Sequence, residues 1–227
     1  MIVKPTNDWG KLLIATERTL LMVIISTVIA FLIGLPIGIL LYHTSKKGLK
    51  PNKWVNLILG TIVNVFRSIP CVLLIIILKP ISMLVLGIFD GTWTNEWYSM
   101  VIPLVVASFG FVARMVEQSL SEVDSGVIEA AKAMGTPTYK IIFKVLLAEA
   151  KPSLISGFAV AVVSIIGYTS FAGYIGAGGL IQQGFSFGYS GNNTKMMWIC
   201  VICVVIIVQI IQEGGLYLSK LFDKRRK

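Results

Sequence analysis

The sequence predicts an all-α polytopic membrane protein, with five transmembrane helices and one water-facing helical hairpin. Three observations carry that reading. Of 227 residues, 56% are hydrophobic and 14% charged, with mean hydropathy +0.83; soluble domains carry about 25% charged residues. The apolar residues come in long blocks, whereas a membrane barrel would show short alternating runs. A charged, helix-forming stretch, 117–152, interrupts the blocks in mid-chain. Helices are the default in lipid, because a span must satisfy its own backbone hydrogen bonds. The length fits one domain, so 1–227 reads as a single transmembrane unit.

The first span, 20–42, has no charged side chain. At 1.5 Å per residue it reaches about 34 Å, enough for a hydrocarbon core of about 30 Å. It is too long for a signal-peptide core, and no small-residue cleavage pattern follows it. The second span, 55–78, is interrupted by Arg67 and Pro70. The third is 97–116, with Arg114 near its end; the fourth is 153–174 and the fifth 196–218.

Lys and Arg set the orientation. Segment 43–53 (Lys46, Lys47, Lys50, Lys53), segment 114–151 (Arg114, Lys132, Lys140, Lys144, Lys151) and the tail (Lys220, Lys224, Arg225, Arg226, Lys227) place fourteen cations on one side. The other side has five: Lys4, Lys11, Arg18, Lys79 and Lys195. The richer side is cytoplasmic, which puts the N-terminus outside and the C-terminus inside. Trp93, Trp97, Tyr98 and Trp198 then fall at the outer interface, and Tyr42, Trp54 and Tyr217 at the inner one. The net charge of +9 is thereby used by orientation and attraction to lipid headgroups. Nucleic acid is excluded as a partner, since no basic and aromatic surface module exists.

The hairpin, about 121–150, therefore faces the cytoplasm. Asp124 or Ser125 can cap a short helix running to Met134, and Gly135 suits the left-handed position past its end. Thr136 is the next N-cap candidate and Pro137 the first residue of a second helix, which runs to about Ala150. Ile141, Ile142, Val145 and Leu146 give that helix an apolar side for the membrane or the other spans. Ala130, Ala131, Ala133 and Gly135 leave the first helix thin, so another surface can approach it closely. Two readings stand at this point: an amphipathic connector resting on headgroups, or a docking knob for a cytoplasmic partner.

A resemblance decides between them. The run Glu129-Ala130-Ala131, then Gly135, then Val145-x-Leu147, resembles the EAA loop of type I ABC importer permeases. The likeness extends from about residue 12 to 218. That family's pattern usually ends in Leu-Pro; here Ala148 occupies the Pro position and Pro152 follows four residues later. Narrower likenesses to the methionine importer permeases lie in F-R-S-I-P (66–70), I-E-A-A-K-A-M-G (128–135) and G-Y-T-S-F-A-G-Y-I-G-A-G-G-L (167–180). The resemblance implies a multi-pass subunit of the bacterial plasma (inner) membrane that moves L- or D-methionine, or both, inward by alternating access. It implies a homodimer, two copies of a cytoplasmic ABC ATPase that uses ATP and Mg, and an extracellular or periplasmic methionine-binding protein. It implies that Glu129, Ala130, Ala131, Ala133, Met134, Gly135 and Thr136 couple to the ATPase. Another amino acid or an osmolyte is the alternative cargo. The chain lacks G-x-x-x-x-G-K-[ST], so it reads as no enzyme and holds no cofactor of its own.

Arg67 sits near the middle of the second span, where an Arg costs about 2.5–3.5 kcal/mol and usually faces protein or water. With Ser68 and Pro70 it lines a translocation path, or it supports a subunit interface or helix kink; a third reading lays residues 55–66 flat and lets Arg67 snorkel. The fourth span is rich in small and hydroxyl residues, which suit either helix packing or a pathway wall offering Ser164 and Tyr168 to a zwitterion. Residues 173–179 hold four glycines and read as an irregular outer loop. Cys71, Cys200 and Cys203 lie in predicted spans and His43 is the sole histidine, so no metal site is expected. A secondary transporter is disfavoured, since the spans are odd in number and carry no mid-membrane acid.

Overall fold

The structure, a computed structural model, describes residues 8–86 and 96–223. Lys4, Trp93, Lys224, Arg225, Arg226 and Lys227, which entered the orientation reading, lie outside the described residues. Every regular element among the described residues is helical. In order they are α1 (Asp8–Thr44), α2 (Lys53–Ser68), α3 (Cys71–Val85), then a 3₁₀ turn (Trp97–Met100) leading into α4 (Val101–Ser121). The short α5 (Ser125–Ala133) follows. Next comes α6 (138–149), built as Thr138–Lys140, a wider π-type coil over Ile141–Leu146, and Leu147–Glu149. The last three are α7 (Lys151–Tyr174), α8 (Gly179–Gln183, continued by a π-type Gly184–Tyr189) and α9 (Thr194–Phe222).

Among the described residues, four helices are long and apolar enough to cross a membrane, or five if the bent pair α2–α3 counts as one span. The first begins well before the expected Leu20, because a helix need not stop where its lipid-soluble stretch does. The second expected span is not one continuous helix. It breaks between Ser68 and Cys71 with a bend of 96°. Pro70 stands at the N-terminal cap of α3 in an extended conformation (φ −55°, ψ 129°), and its missing N–H costs nothing at a helix start. The sequence located the break at Pro70 but carried no mark of the size of the turn.

Contacts divide the chain into two compact units. One takes residues up to Ile29, Ile69–Ala107 and Val162–Ile211; the other takes Ala30–Ser68, Ser108–Ala161 and the chain from Gln212. In the first unit, Met22, Ile75, Met100 and Leu104 form one buried cluster, with Ala172 and Ala177. The glycine segment is irregular at 175–178, as expected, but helical at both ends, and its far end is pinned. The Leu180 amide donates to Thr19 Oγ1 at 2.9 Å, and Gly179 has φ +88°. A Cβ at Gly179 would lie 2.6 Å from that same oxygen, so glycine is required for both backbone and space.

The second unit holds the hairpin. Its core joins Val112, Val116 and Leu120 of α4 to Ile128, Ile141 and Leu146. Gly34 and Gly38 of α1 lie against α4, where a Cβ would come within 2.7 Å of the Val112 side chain or 2.5 Å of the Ala113 carbonyl oxygen. Small residues allow this close backbone approach, which replaces a hydrophobic drive that lipid cannot supply.

Candidate functional site

The hairpin is built by local signals and then turned by its core. Asp124 Oδ1 accepts the Gly126 amide at 2.7 Å and so caps α5. Gly135 adopts φ +70°, its amide donates to the Lys132 carbonyl at 2.9 Å, and the Thr136 amide donates to the Ala131 carbonyl at 3.1 Å. That is a left-handed helix ending. The next start lies one residue later than the spacing predicts. Pro137 is the cap (φ −66°, ψ 147°), and Thr136 contributes no side-chain cap.

One face of α5 looks inward. Ile128 and Ala131 are buried against Ile141, Leu146 and Ala150 of the return leg and against Val116, Leu120 and Val123. The π-type coil bonds each residue to one five positions away. This wider turn sets Ile141 and Leu146, five apart, into the same core. The apolar side of α6 therefore packs on α5 and α4, where the sequence suggested membrane or spans. Glu129, Ala130, Lys132, Ala133, Met134 and Gly135 are exposed on the opposite face, Met134 at 78%, and Thr136 is half-buried. Ala131 differs from the sequence expectation. The sequence places it on the thin docking face, but at 4% exposure it anchors α5 to its own chain. The i, i+3 spacing of Ile128 and Ala131 was the available signal.

At the hairpin's base, Ser153 Oγ donates to Glu122 Oε2 at 2.7 Å and lies 3.1 Å from Ser119 Oγ. These groups belong to a cleft of about 660 Å³ that also takes in Arg67, Arg114, Gln118 and Ser156. The stem of Arg67 lies across Gly110, where a Cβ would come 3.0 Å from Arg67 Cγ. Arg67 is exposed and lines the cleft. Ser68 turns back to the Asn64 carbonyl at 2.8 Å, and Pro70 is exposed at the helix break. Ser164 and Tyr168 do not line this cleft. They are half-buried, and Tyr168 packs on apolar clusters of the other unit.

Arg114, in the sequence one more interfacial cation, has a structural role as well. Its guanidinium bonds Glu117 at 2.6 Å, the Gly60 carbonyl at 3.1 Å and Asn64 Oδ1 at 2.9 Å, so it ties α4 to α2. The signal was Glu117 three residues on; the α2 partners are invisible without the fold. Arg114→Ala strands a partly exposed carboxylate and a carbonyl together. We expect a loss of about 1–3 kcal/mol, read as a lower thermal midpoint of the purified protein, with Asn64→Ala costing less. An unchanged midpoint for Arg114→Ala would show the tie to be incidental. Among the described residues no three His, Cys, Asp or Glu side chains gather as a metal would require.

Comparison with known proteins gives a consistent picture. A profile of the family described as "Binding-protein-dependent transport system inner membrane component" matches residues 34–226. The methionine import system permease protein of Bacillus subtilis is 44% identical over 97% of each chain. A probable D-methionine transport system permease protein of Vibrio cholerae is 37% identical over 94% of this chain and 93% of its own. Among solved structures, the inward-facing MetNI methionine ABC transporter superposes with TM-score 0.91 at 34% identity, covering 97% of this chain and 100% of that one. An amino acid ABC transporter with histidines shares the fold at TM-score 0.73 and 18% identity.

Proposed function

The chain belongs to the binding-protein-dependent transport system inner membrane components, and from that premise we propose that it is the membrane-spanning permease subunit of an ATP-driven importer of methionine. The observation that carries the cargo is the likeness over nearly the whole length to relatives named for methionine transport. The permease is a single domain of five spans, α2 with α3 forming the second, with its N-terminus outside and its C-terminus in the cytoplasm of a bacterial cell. Two copies pair, and each docks one cytoplasmic ATPase, which binds and hydrolyses ATP with Mg; this chain does no catalysis itself. A binding protein outside the membrane delivers the substrate, as the family's description implies.

Docking uses the exposed face of α5. Glu129, Ala130, Ala133, Met134 and Gly135 touch the ATPase, with Thr136 at the edge, while Ala131 couples by anchoring the helix from behind. Exposure of these residues and burial of Ala131 in the hairpin core support this division. Closure of the ATPase pair moves the hairpin, and its packing on α4 passes the motion to the spans as alternating access. Arg67 and Ser68 line the route at one level, and Ser164 and Tyr168 line it at another. Pro70 supplies the break that lets α2 and α3 take different directions.

The test is to purify the tagged chain gently from its own membrane, identify what accompanies it, and measure methionine uptake in proteoliposomes with the binding protein present. An ATPase recovered in equal amount, lost when residues 125–135 are scrambled, together with ATP-dependent methionine uptake, is the expected result. Recovery of the chain alone, or ATP-dependent uptake of other solutes that methionine fails to compete with, overturns the reading.

A further inference from the structure

We propose that the C-terminal end of α9 braces the return leg of the hairpin, with Ser219 and Phe222 as positioning residues for coupling; this rests on the hairpin being the coupling element. Three successive contacts define the brace. Gly215 lies against Ala159 of α7 so closely that a Cβ there would collide with the Ala159 methyl. One turn on, Ser219 Oγ donates to the Pro152 carbonyl at 2.7 Å. One turn further, the ring of Phe222 lies beneath Lys151 Nζ, 4.5 Å from ammonium to centroid. The spacing 215, 219, 222 is one face of a helix.

The brace sits at a mechanical joint. The hairpin's return leg ends at Ala150 (ψ −6°) and α7 begins at Lys151; the Ala150 amide still donates to the Leu146 carbonyl at 2.8 Å and the Leu154 amide to the Ala150 carbonyl at 2.9 Å, but Pro152 has no N–H to add, so the joint is thinly bonded. Motion of α5 must cross this joint to reach the α7 span. A flexible joint would absorb it. Both clamped residues, Lys151 and Pro152, lie immediately past the joint, so α9 fixes the angle at which the leg enters α7. Residues 216–218 and 220–222 are exposed and Gly215 and Ser219 half-buried, whereas the buried residues of the helix, Met196 and Cys200, lie near its other end. A charged ammonium over an aromatic face is worth retaining even when partly solvated, and the Ser219 hydroxyl adds a second donor to a carbonyl in the first turn of α7.

Two readouts test the brace in the purified complex with its ATPase and binding protein. The first is methionine imported per ATP hydrolysed. In the double variant Ser219→Val, Phe222→Ala we expect this ratio to fall about fivefold while the ATPase still co-purifies, and Ser219→Thr alone to stay within about twofold of wild type. An unchanged ratio, or loss of uptake and hydrolysis in proportion with loss of the ATPase, overturns the proposal. The second readout needs no knowledge of the cargo. A spin label on Tyr139→Cys, exposed on the return leg and outside the docking face, with Cys71, Cys200 and Cys203 changed to Ser, is expected to be immobile in the complex and mobile in the double variant. Equal mobility overturns the brace. A wild-type complex that imports no methionine would instead sink the cargo assignment and leave the spin-label result standing.

Discussion

Replacing Ala133 by Trp is expected to lower ATP-driven uptake at least about tenfold, equivalent to about 1.4 kcal/mol or more of lost docking, while the permease still inserts and purifies. Ala133 is exposed on the outward face of α5, and its methyl leaves room for a close partner. An indole there stands the partner off without touching this chain's core. The contrast is Ala131→Trp. Ala131 is buried among Ile128, Ile141 and Leu146, so the same indole overpacks the hairpin core. Overpacking costs typically about 1–3 kcal/mol and more for so large a change. We expect Ala131→Trp to make residues 121–150 sensitive to protease in the free permease, and Ala133→Trp to leave them resistant. Both variants lose uptake, for different reasons. Wild-type uptake by Ala133→Trp would remove the exposed face of α5 from the docking surface.

The second large effect is expected at Gly38. A Cβ there would lie 2.5 Å from the Ala113 carbonyl oxygen and 2.6 Å from the Val116 Cβ. The oxygen is backbone and cannot step aside, so α1 and α4 must separate along the turn that packs Gly34 on Val112. In lipid this packing is itself the association energy. Gly38→Val should therefore lose most of the purifiable, monodisperse protein, or drop the thermal midpoint of what remains by several degrees, as about 1–3 kcal/mol implies. Gly214→Val is the control. Nothing lies within 4 Å of a Cβ at that position, so its midpoint should stay close to wild type. Equal behaviour of the two variants would mean that the close approach of α1 and α4 contributes little.

Where the sequence was legible, the reason is local. Asp124 and Gly135 announce the two ends of α5 through their own backbone chemistry, and both do what those residue types do. Pro70 announces a break, and a break is there. The charge-free stretch 20–42 lies inside α1. What the sequence hid depends on contacts between distant residues. The size of the bend at Pro70, 96°, has no mark in the sequence. The inward turn of Ala131 follows from a core completed by Ile141 and Leu146, and the π-type coil that aligns those two has no simple periodic mark. The helix at Gly179–Gln183 was missed because its glycines read as loop; a threonine far back in the chain, Thr19, holds its start. Arg114 looked like one more interfacial cation until Gly60 and Asn64 met it.

The break after Ser68 also bears on how the protein is made. α2 has 16 residues and α3 has 15, so they measure about 24 and 22 Å, each less than the roughly 30 Å of hydrocarbon that must be bridged. As the ribosome delivers them, neither can settle across the bilayer by itself. α1 holds the start of α2 at once, through Asn56 Nδ2 to the Leu41 carbonyl at 2.8 Å, but Val63 and the Gly60 carbonyl meet Ala113 and Arg114 only some fifty residues later. The packing around α2 is therefore expected to be completed out of step with its synthesis, once the chain that carries Ala113 and Arg114 has arrived.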